Sequence, residues 1–342
     1  MTDYNMVASR KEQTLQLFNV KFLRVCACLG VVLVHLGQRI ELTGKLRTFT
    51  GGGGTGVYLF FILSGYLGFY SYNKRVNIKE YYLKRAFRII PLYYSVIFLN
   101  MLMYGVFWNL TEYAKPVDNY KLGWLRYFLF LNQSIPAWDD FWKNLNATWT
   151  IPYFIMYYLL APMLFKIISS YKKSVLFLAI CWGIRHFWAW DWFEPIKGLY
   201  YFAVGILVYY AIVEKKENVT YIGIGLYTFL LILFDKINSG VMGYVNCFAI
   251  VFLASFYIST NYVGLMNNKF LVKLDEYSFT IYLGHAFVME LMNIIRKLVI
   301  LNKIEVFLLF GTGTVIVCLL LQKCIVNPFI IFERKMLNYI VK

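Results

Sequence analysis

Charged side chains are scarce in this chain. Of its 342 residues, 15% are Asp, Glu, Lys or Arg, against roughly 25% in ordinary soluble domains. Hydrophobic residues make up 60% and aromatic residues 20%, which is more apolar surface than a core of this size can bury. This composition excludes a water-soluble globule and an intrinsically disordered chain, and it predicts a protein solvated largely by lipid.

Cysteine is also sparse, and its placement excludes two common kinds of site. The six cysteines lie in apolar runs and show neither CxxC metal-ligand spacing nor the pattern of a secreted disulfide framework. We interpret them as small buried hydrophobic residues and expect no metal. The first 20 residues are polar and charged, without the apolar stretch of a cleavable signal peptide, so we expect membrane entry to start with the first span.

Apolar runs of membrane-spanning length dominate the remaining sequence. They fall at about residues 22–38, 56–73, 89–107, 148–168, 174–190, 197–213, 220–235, 241–260, 277–295 and 305–323. The segment 121–135 is aromatic-rich but short and contains Arg126, so it is an interfacial or a re-entrant piece. We predict an all-α polytopic integral membrane protein of about ten transmembrane helices, with residues 1–342 forming a single domain.

The basic residues indicate the orientation. With the N-terminus in the cytoplasm, 21 of the 34 Lys and Arg residues fall on the cytoplasmic side, as the positive-inside rule requires. Both termini are then cytoplasmic, as an N-terminal segment 1–20 and a tail 327–342. Topology thereby accounts for the net charge of +16, and we expect no nucleic-acid partner.

Two ionisable residues stand in the first span, where such side chains are functional candidates by default. Arg24 precedes His35 by eleven residues, about three helical turns and a rise of roughly 16 Å. Both therefore lie on one helix face. Taken singly, Arg24 is an interfacial anchor and His35 a helix-end histidine in the outer interface.

The loop before the third span carries the densest positive charge. Arg85 and Arg88 are one helical turn apart, and guanidinium pairs suit phosphate groups through charge-assisted hydrogen bonds. Ordinary topology charges or contacts to anionic lipids explain this loop equally well. The glycines at 51–54 and Gly56 allow close approach of a ligand or a neighbouring helix, but they lack the lysine of a phosphate-binding P-loop.

A polar stripe marks a later span. In YSFTIYLGH, Ser278 and Tyr282 precede His285 by seven and three residues and lie near its helical face. Such a stripe in an apolar span faces the interior of a helix bundle. We therefore hold His285 as a further functional candidate.

Five segments, in order, resemble the recurring blocks of the acyltransferase-3 family. They are KFLRVCACLGVVLVH, GTGVYLFFILSGYL, KRAFRIIPLYY, TWTIPYFIMYYLLAP and YSFTIYLGH. The closing VNPFIIFER is similar to the family's terminal segment. The block beginning at Trp149 departs from many members, because Phe154 stands where they carry a glutamate. We expect none of the SGNH hydrolase domain that is fused to some members of this family.

The resemblance implies a multi-pass enzyme of the bacterial plasma membrane. Such an enzyme transfers an acyl group, usually acetyl from cytoplasmic acetyl-CoA, to a hydroxyl of a glycan or lipid-linked saccharide. The resemblance also implies that Arg24, Arg85 and Arg88 bind the cofactor. We predict further residues that bind the cofactor or the substrate. They are Gly54, Gly56 and Ser64 for cofactor binding, and Tyr282 and Trp149, with His285, for substrate or relay.

Acyl transfer to an alcohol requires a base, and a histidine of near-neutral pKa is the usual one. We predict His35 as the general base, or alternatively as a nucleophile that forms an acyl-enzyme. Surrounding lipids and a second copy of the chain are further possible partners. Two other classes stay open, a transporter or flippase of a glycolipid or small metabolite and a membrane component without turnover.

Overall fold

Helices form every regular element of the described chain. The structure is a computed structural model that describes residues 3–72, 77–106, 123–132, 148–187, 194–223, 225–226 and 268–340. Its main helices are α1 (Asp3–Arg39), α2 (Gly44–Gly52), α3 (Gly56–Tyr72), α4 (Ile78–Val106), α5 (Gly123–Phe128), α6 (Ile151–Ile167), α7 (Tyr171–Phe187), α8 (Pro195–Val213), α9 (Lys269–Leu298), α10 (Lys303–Leu321) and α11 (Asn327–Ile340).

Seven stretches within the described ranges are long and apolar enough to cross a membrane. They are Asn19–Arg39, Gly44–Tyr72, Ile78–Met103, Thr148–Ile167, Pro195–Val213, Lys269–Leu298 and Lys303–Tyr339. The predicted all-α polytopic membrane fold is confirmed. The 174–190 run corresponds to α7, whose 17 residues extend about 26 Å. Most of the predicted spans 220–235 and 241–260 lies outside the described residues, so the count of ten and the cytoplasmic termini stay predictions.

Glycines bring α3 and α8 into close contact at the centre of the core. A Cβ atom on Gly65 would overlap the backbone of Phe202, and one on Gly205 would overlap the carbonyl oxygen of Ile62. Small residues permit such close approach of helix backbones inside a membrane. Around this contact Phe61, Tyr157 and Phe202 are almost fully buried, which makes α3 and α8 the rigid centre of the fold.

Two local signals shape the chain after α9. Asn302 caps α10 through a reciprocal capping box with Glu305, which satisfies backbone donors that the first helical turn leaves open. At its other end α10 passes through a π-helical turn, Gln322–Val326, into α11. Pro328 lies just after this turn and has no N–H to donate to the carbonyl four residues earlier, so the helix widens there without breaking.

Helices α1 and α9 pack side by side in the same direction. The contacts between them follow the same order along both chains, from Arg24 with Asp275 to Cys28 with Ser278 and then His35 with His285. Beyond these, Arg296 donates a hydrogen bond to the carbonyl oxygen of Arg39. Equal direction is what the first and ninth of ten alternating spans would have, and it places the candidate residues of both helices in one interface.

The structure adds detail on the cysteines and on the segment 121–135. Cys28, Cys181 and Cys318 are buried as predicted, but Cys26 and Cys324 are exposed on helix surfaces, because an apolar environment outside the protein suits a thiol as well as a core does. Within the segment 121–135, α5 is six residues long. The backbone carbonyls of Tyr127 and Phe128 accept hydrogen bonds from the hydroxyls of Tyr93 and Tyr94, which tie this short helix to α4.

The close α3–α8 contact predicts that substitution by alanine at two glycines changes the melting temperature in different ways. Gly205→Ala forces a methyl group against the Ile62 carbonyl, and such overpacking costs about 1–3 kcal/mol. Gly183→Ala is the matched control, because open space surrounds that position in the described structure and alanine has the higher helix propensity. We expect the melting temperature in detergent to fall by several degrees for Gly205→Ala and to stay level or rise for Gly183→Ala. Equal melting temperatures would contradict the close α3–α8 contact.

Candidate functional site

A bidentate ion pair joins α1 and α9. Arg24 donates from Nε to one carboxylate oxygen of Asp275 at 2.7 Å and from a terminal nitrogen to the other at 2.6 Å. Asp275 is 5% exposed and Arg24 18%, so the pair is shielded from solvent. Such fork-to-carboxylate geometry is the most directional ion pair that side chains form.

Two more arginines approach this pair from α4. Arg88 is exposed and lies within electrostatic reach of Arg24, Arg85 and Asp275. Arg85 lies between two aromatic rings, with its guanidinium carbon 4.8 Å from the centroid of Tyr158 and 5.4 Å from that of Tyr81. We refer to these four charged residues as the arginine cluster: Arg24, Arg85, Arg88 and Asp275. The cluster carries a net positive charge, an arrangement suited to a multiply charged anion.

Helix α11 borders the arginine cluster. Phe87 of α4 contacts Phe329 and Phe332 of α11, with ring centroids 6.4 and 5.6 Å apart. Glu333 of the same helix lies within electrostatic reach of Arg88. The predicted tail 327–342 therefore begins as a helix that covers part of α4 beside the accessible arginine.

Two histidines face each other in the α1–α9 interface, further toward the C-terminal ends of both helices. The rings of His35 and His285 have centroids 5.2 Å apart and planes inclined by 33°. His285 is fully buried, whereas His35 is partly exposed. His35 follows Arg24 by eleven residues on α1, and His285 follows Asp275 by ten on α9. The histidines therefore lie about 15 Å from the arginine cluster along the two helices.

The hydrogen bonds of the two rings define their tautomers. Nδ1 of His285 lies 3.1 Å from the Ile281 carbonyl oxygen, and Nδ1 of His35 lies 3.1 Å from Oε1 of Gln38. Both oxygens only accept, so each Nδ1 carries the hydrogen, given the assigned orientation of the Gln38 amide. Each neutral ring then has a lone pair on Nε2. Nε2 of His285 is buried with no hydrogen-bond partner among the described residues.

Tyr282 connects the histidines to Phe60 of α3 and to Thr150, the residue just before α6. Its hydroxyl lies 3.1 Å from Oγ1 of Thr150, and its ring lies 6.0 Å from His285 and 5.7 Å from Phe60, between centroids. Trp149, next to Thr150, packs edge-on against neighbouring rings. We refer to the resulting group as the histidine cluster: His35, His285, Gln38, Tyr282 and Thr150. Predicted residues from three separate sequence blocks thus meet in one place.

The predicted cofactor residues of α3 have different surroundings. Gly56 lies against the backbone of Ala27, where a Cβ atom would overlap the carbonyl oxygen, so its structural role is the close packing of α3 on α1. Gly54 faces open space and Ser64 is partly exposed. Contact of these three residues with a cofactor stays a prediction.

Sequence analysis missed several partners of the predicted residues. Asp275 is an acid inside an apolar helix, ten residues before a histidine, and the same rule that selected Arg24 could have selected it. Gln38 and Thr150 carry no such signal, because neutral polar residues near helix ends are common. Phe154, in the block that begins at Trp149, packs against Phe61 and Phe202.

The long segment between the third and fourth predicted spans is only partly described. Most of the stretch from Trp108 to Thr148, including Trp124, Trp138 and Trp142, lies outside the described residues or side chains. Trp149 is the described tryptophan of the predicted site, and it is partly buried beside the histidine cluster.

Comparison with protein families identifies one match. The profile of the acyltransferase-3 family, described as an acyltransferase domain, matches residues 17–323. No curated protein and no solved structure matches the chain. The matched range contains every residue of the arginine cluster and the histidine cluster.

The Tyr282–Thr150 contact predicts a modest stability effect. Tyr282→Phe keeps the ring against His285 but removes the hydrogen bond to Thr150, and we expect a loss of about 1 kcal/mol. Thermal unfolding in detergent measures it. Thr150→Val, which keeps the volume and also removes this bond, is the partner variant. If the two losses add in the double variant, the hydroxyls do not interact.

Proposed function

This chain belongs to the acyltransferase-3 family, and on that premise we propose which acyl group it transfers and to what. Membership and the apolar helices make it a multi-pass membrane acyltransferase. We propose that it takes acetyl from acetyl-CoA and delivers it to a hydroxyl of a cell-surface polysaccharide or a lipid-linked glycan in a bacterial plasma membrane.

The spacing of the two clusters is the observation that carries this proposal. The arginine cluster and the histidine cluster lie on the same pair of parallel helices, about 15 Å apart. A donor that reaches both must be long and thin, with phosphates at one end and a reactive group at the other. Acetyl-CoA has this form, because a flexible arm separates its nucleotide phosphates from its thioester.

Arg85 and Arg88 are the proposed phosphate ligands. Arg88 is accessible, and the aromatic rings on both sides of Arg85 hold its guanidinium in place by cation–π contact. A preorganised guanidinium loses little side-chain entropy when a phosphate binds. The thioester end of the donor then extends toward His35.

The histidine cluster supplies the proposed chemistry. Nε2 of His35 takes the proton of the acceptor hydroxyl as its oxygen attacks the thioester carbonyl carbon. The C–O bond forms, the C–S bond breaks, and the protonated histidine returns a proton to the leaving thiolate. His285, whose Nε2 has no hydrogen-bond partner in the described part of the chain, binds the acceptor hydroxyl or relays the proton. Trp149 contacts the acceptor beside Tyr282.

His35→Ala tests the chemical step. We expect acceptor-dependent release of CoA by the purified protein to fall at least 100-fold, because general-base catalysis contributes about 10²–10⁴-fold. The assay supplies acetyl-CoA with and without a lipid-linked or polymeric glycan extract. Protein amount and melting temperature serve as controls for folding. Retained turnover would exclude His35 as the base, and a wild type that neither binds acetyl-CoA nor releases CoA would favour a transporter.

Arg85→Gln combined with Arg88→Gln tests the phosphate site. We expect a weaker binding of acetyl-CoA, by about tenfold or more, since charge-assisted hydrogen bonds contribute about 1.5–3 kcal/mol each. Titration of the purified protein with labelled acetyl-CoA measures it.

Lys79→Gln is the matched control for the phosphate site. It removes an exposed positive charge of the same helix, and we expect no change in affinity. Equal affinity of the double variant and the wild type would mean that the two arginines act only as topology signals.

A further inference from the structure

We propose that Arg24 and Asp275 form a positioning pair that holds His35 and His285 in register, and that Arg24 is not a phosphate ligand. The inference rests on the proposed function and adds Asp275 to its machinery. It also changes the role of Arg24, which sequence analysis assigned to cofactor binding.

The first argument is the geometry of the ion pair. Two nitrogens of Arg24 already donate to the two oxygens of Asp275. Asp275 is 5% exposed, and an ionised carboxylate at that depth is strongly disfavoured without a partner. A phosphate that took the Nε–Nη2 edge of Arg24 would have to break this pair. The third nitrogen, Nη1, could bind a phosphate only with the Asp275 carboxylate as a close neighbour, and that carboxylate repels an anion. The arginine is therefore committed to its carboxylate.

The second argument is the alignment of α1 on α9. Four residues after Arg24, Cys28 donates through its thiol to the Ser278 carbonyl oxygen at 3.1 Å, and the histidine rings meet about two turns later. A slip of one residue on either helix shifts a side chain by 1.5 Å along the axis and rotates it by about 100°. Such a slip would separate the rings. A bidentate pair tolerates no such slip, so it selects the register in which His35 and His285 face each other.

The third argument is the charge balance. Asp275 offsets one of the three arginines of the cluster, which leaves Arg85 and Arg88 as the net positive charge. Of the three, Arg88 has the exposed side chain, whereas Arg24 is 18% exposed. The residues that combine charge with access to an anion are thus on α4, and the α1–α9 pair has the positioning task.

The two possible roles of Arg24 give opposite outcomes for Asp275→Asn. If Arg24 binds phosphate, removing the neighbouring carboxylate leaves more net positive charge and lowers KM for acetyl-CoA. If the pair positions the histidines, the same substitution lowers kcat at nearly constant KM. The isosteric amide keeps the volume of the side chain, so packing changes little.

The experiment is steady-state kinetics of CoA release on four proteins. They are the wild type, Arg24→Ala, Asp275→Asn and the double variant Arg24→Ala/Asp275→Asn. We expect each single variant to lose at least tenfold in kcat, with KM for acetyl-CoA within twofold of the wild type. The double variant should lose no more than the worse single variant, because residues that act as one unit are not additive. Glu80→Gln is the matched control, since it breaks the exposed Glu80–Lys84 pair of α4 without effect on kcat.

Two results would overturn the pair. One is a raised KM for Arg24→Ala together with a lowered KM for Asp275→Asn, which identifies Arg24 as a phosphate ligand. The other is independent, multiplying losses in the double variant. If Arg24→Ala does not fold, Arg24→Lys and Asp275→Glu replace the single variants. Both keep the opposite charges but change the geometry of the two hydrogen bonds. A kcat equal to that of the wild type in both would contradict the positioning role of the pair. A wild type without turnover refutes the proposed function itself, which separates the two failures.

Discussion

The buried ion pair between Arg24 and Asp275 is the constraint on which the candidate site depends. Each partner is an expensive residue inside a membrane helix, and each makes the other tolerable by direct hydrogen bonding. Because one partner is on α1 and the other on α9, the pair joins helices that are about 250 residues apart in the chain. The histidine interface about three turns higher exists only where these two helices run side by side.

The same parallel helices create a site with two chemically different ends. One end has three guanidinium groups and one carboxylate, and the other has two imidazoles with the ring of Tyr282 beside them. The proposed donor, acetyl-CoA, would need its phosphates at the membrane surface and its reacting carbonyl in the interior. Separation of charge from chemistry along a helix pair meets both needs, because the cost of burying phosphates is avoided.

Aromatic residues pack the core of this fold and also hold its few polar groups in place. In the core they pack against glycine-mediated helix contacts, as Phe202 does on Tyr157 with ring centroids 4.2 Å apart. Around Arg85 they surround a cation, and at Tyr282 a hydroxyl joins α9 to Thr150. The high aromatic content therefore supplies rigid side chains that hold the few polar groups in place, since rings lose little conformational entropy when they are packed.

Composition and local pattern were sufficient for the membrane fold and for most candidate residues. Spans are encoded by runs of apolar residues, and ionisable residues inside them stand out because lipid penalises them, so Arg24, His35 and His285 are visible without coordinates. Arg85 and Arg88 are visible through their spacing in the basic loop before the third span. The tertiary structure alone decided which of them meet. Contacts between α1 and α9 have no local signature, so Asp275 as the partner of Arg24, and His285 as the neighbour of His35, appear only once two distant helices pack in parallel.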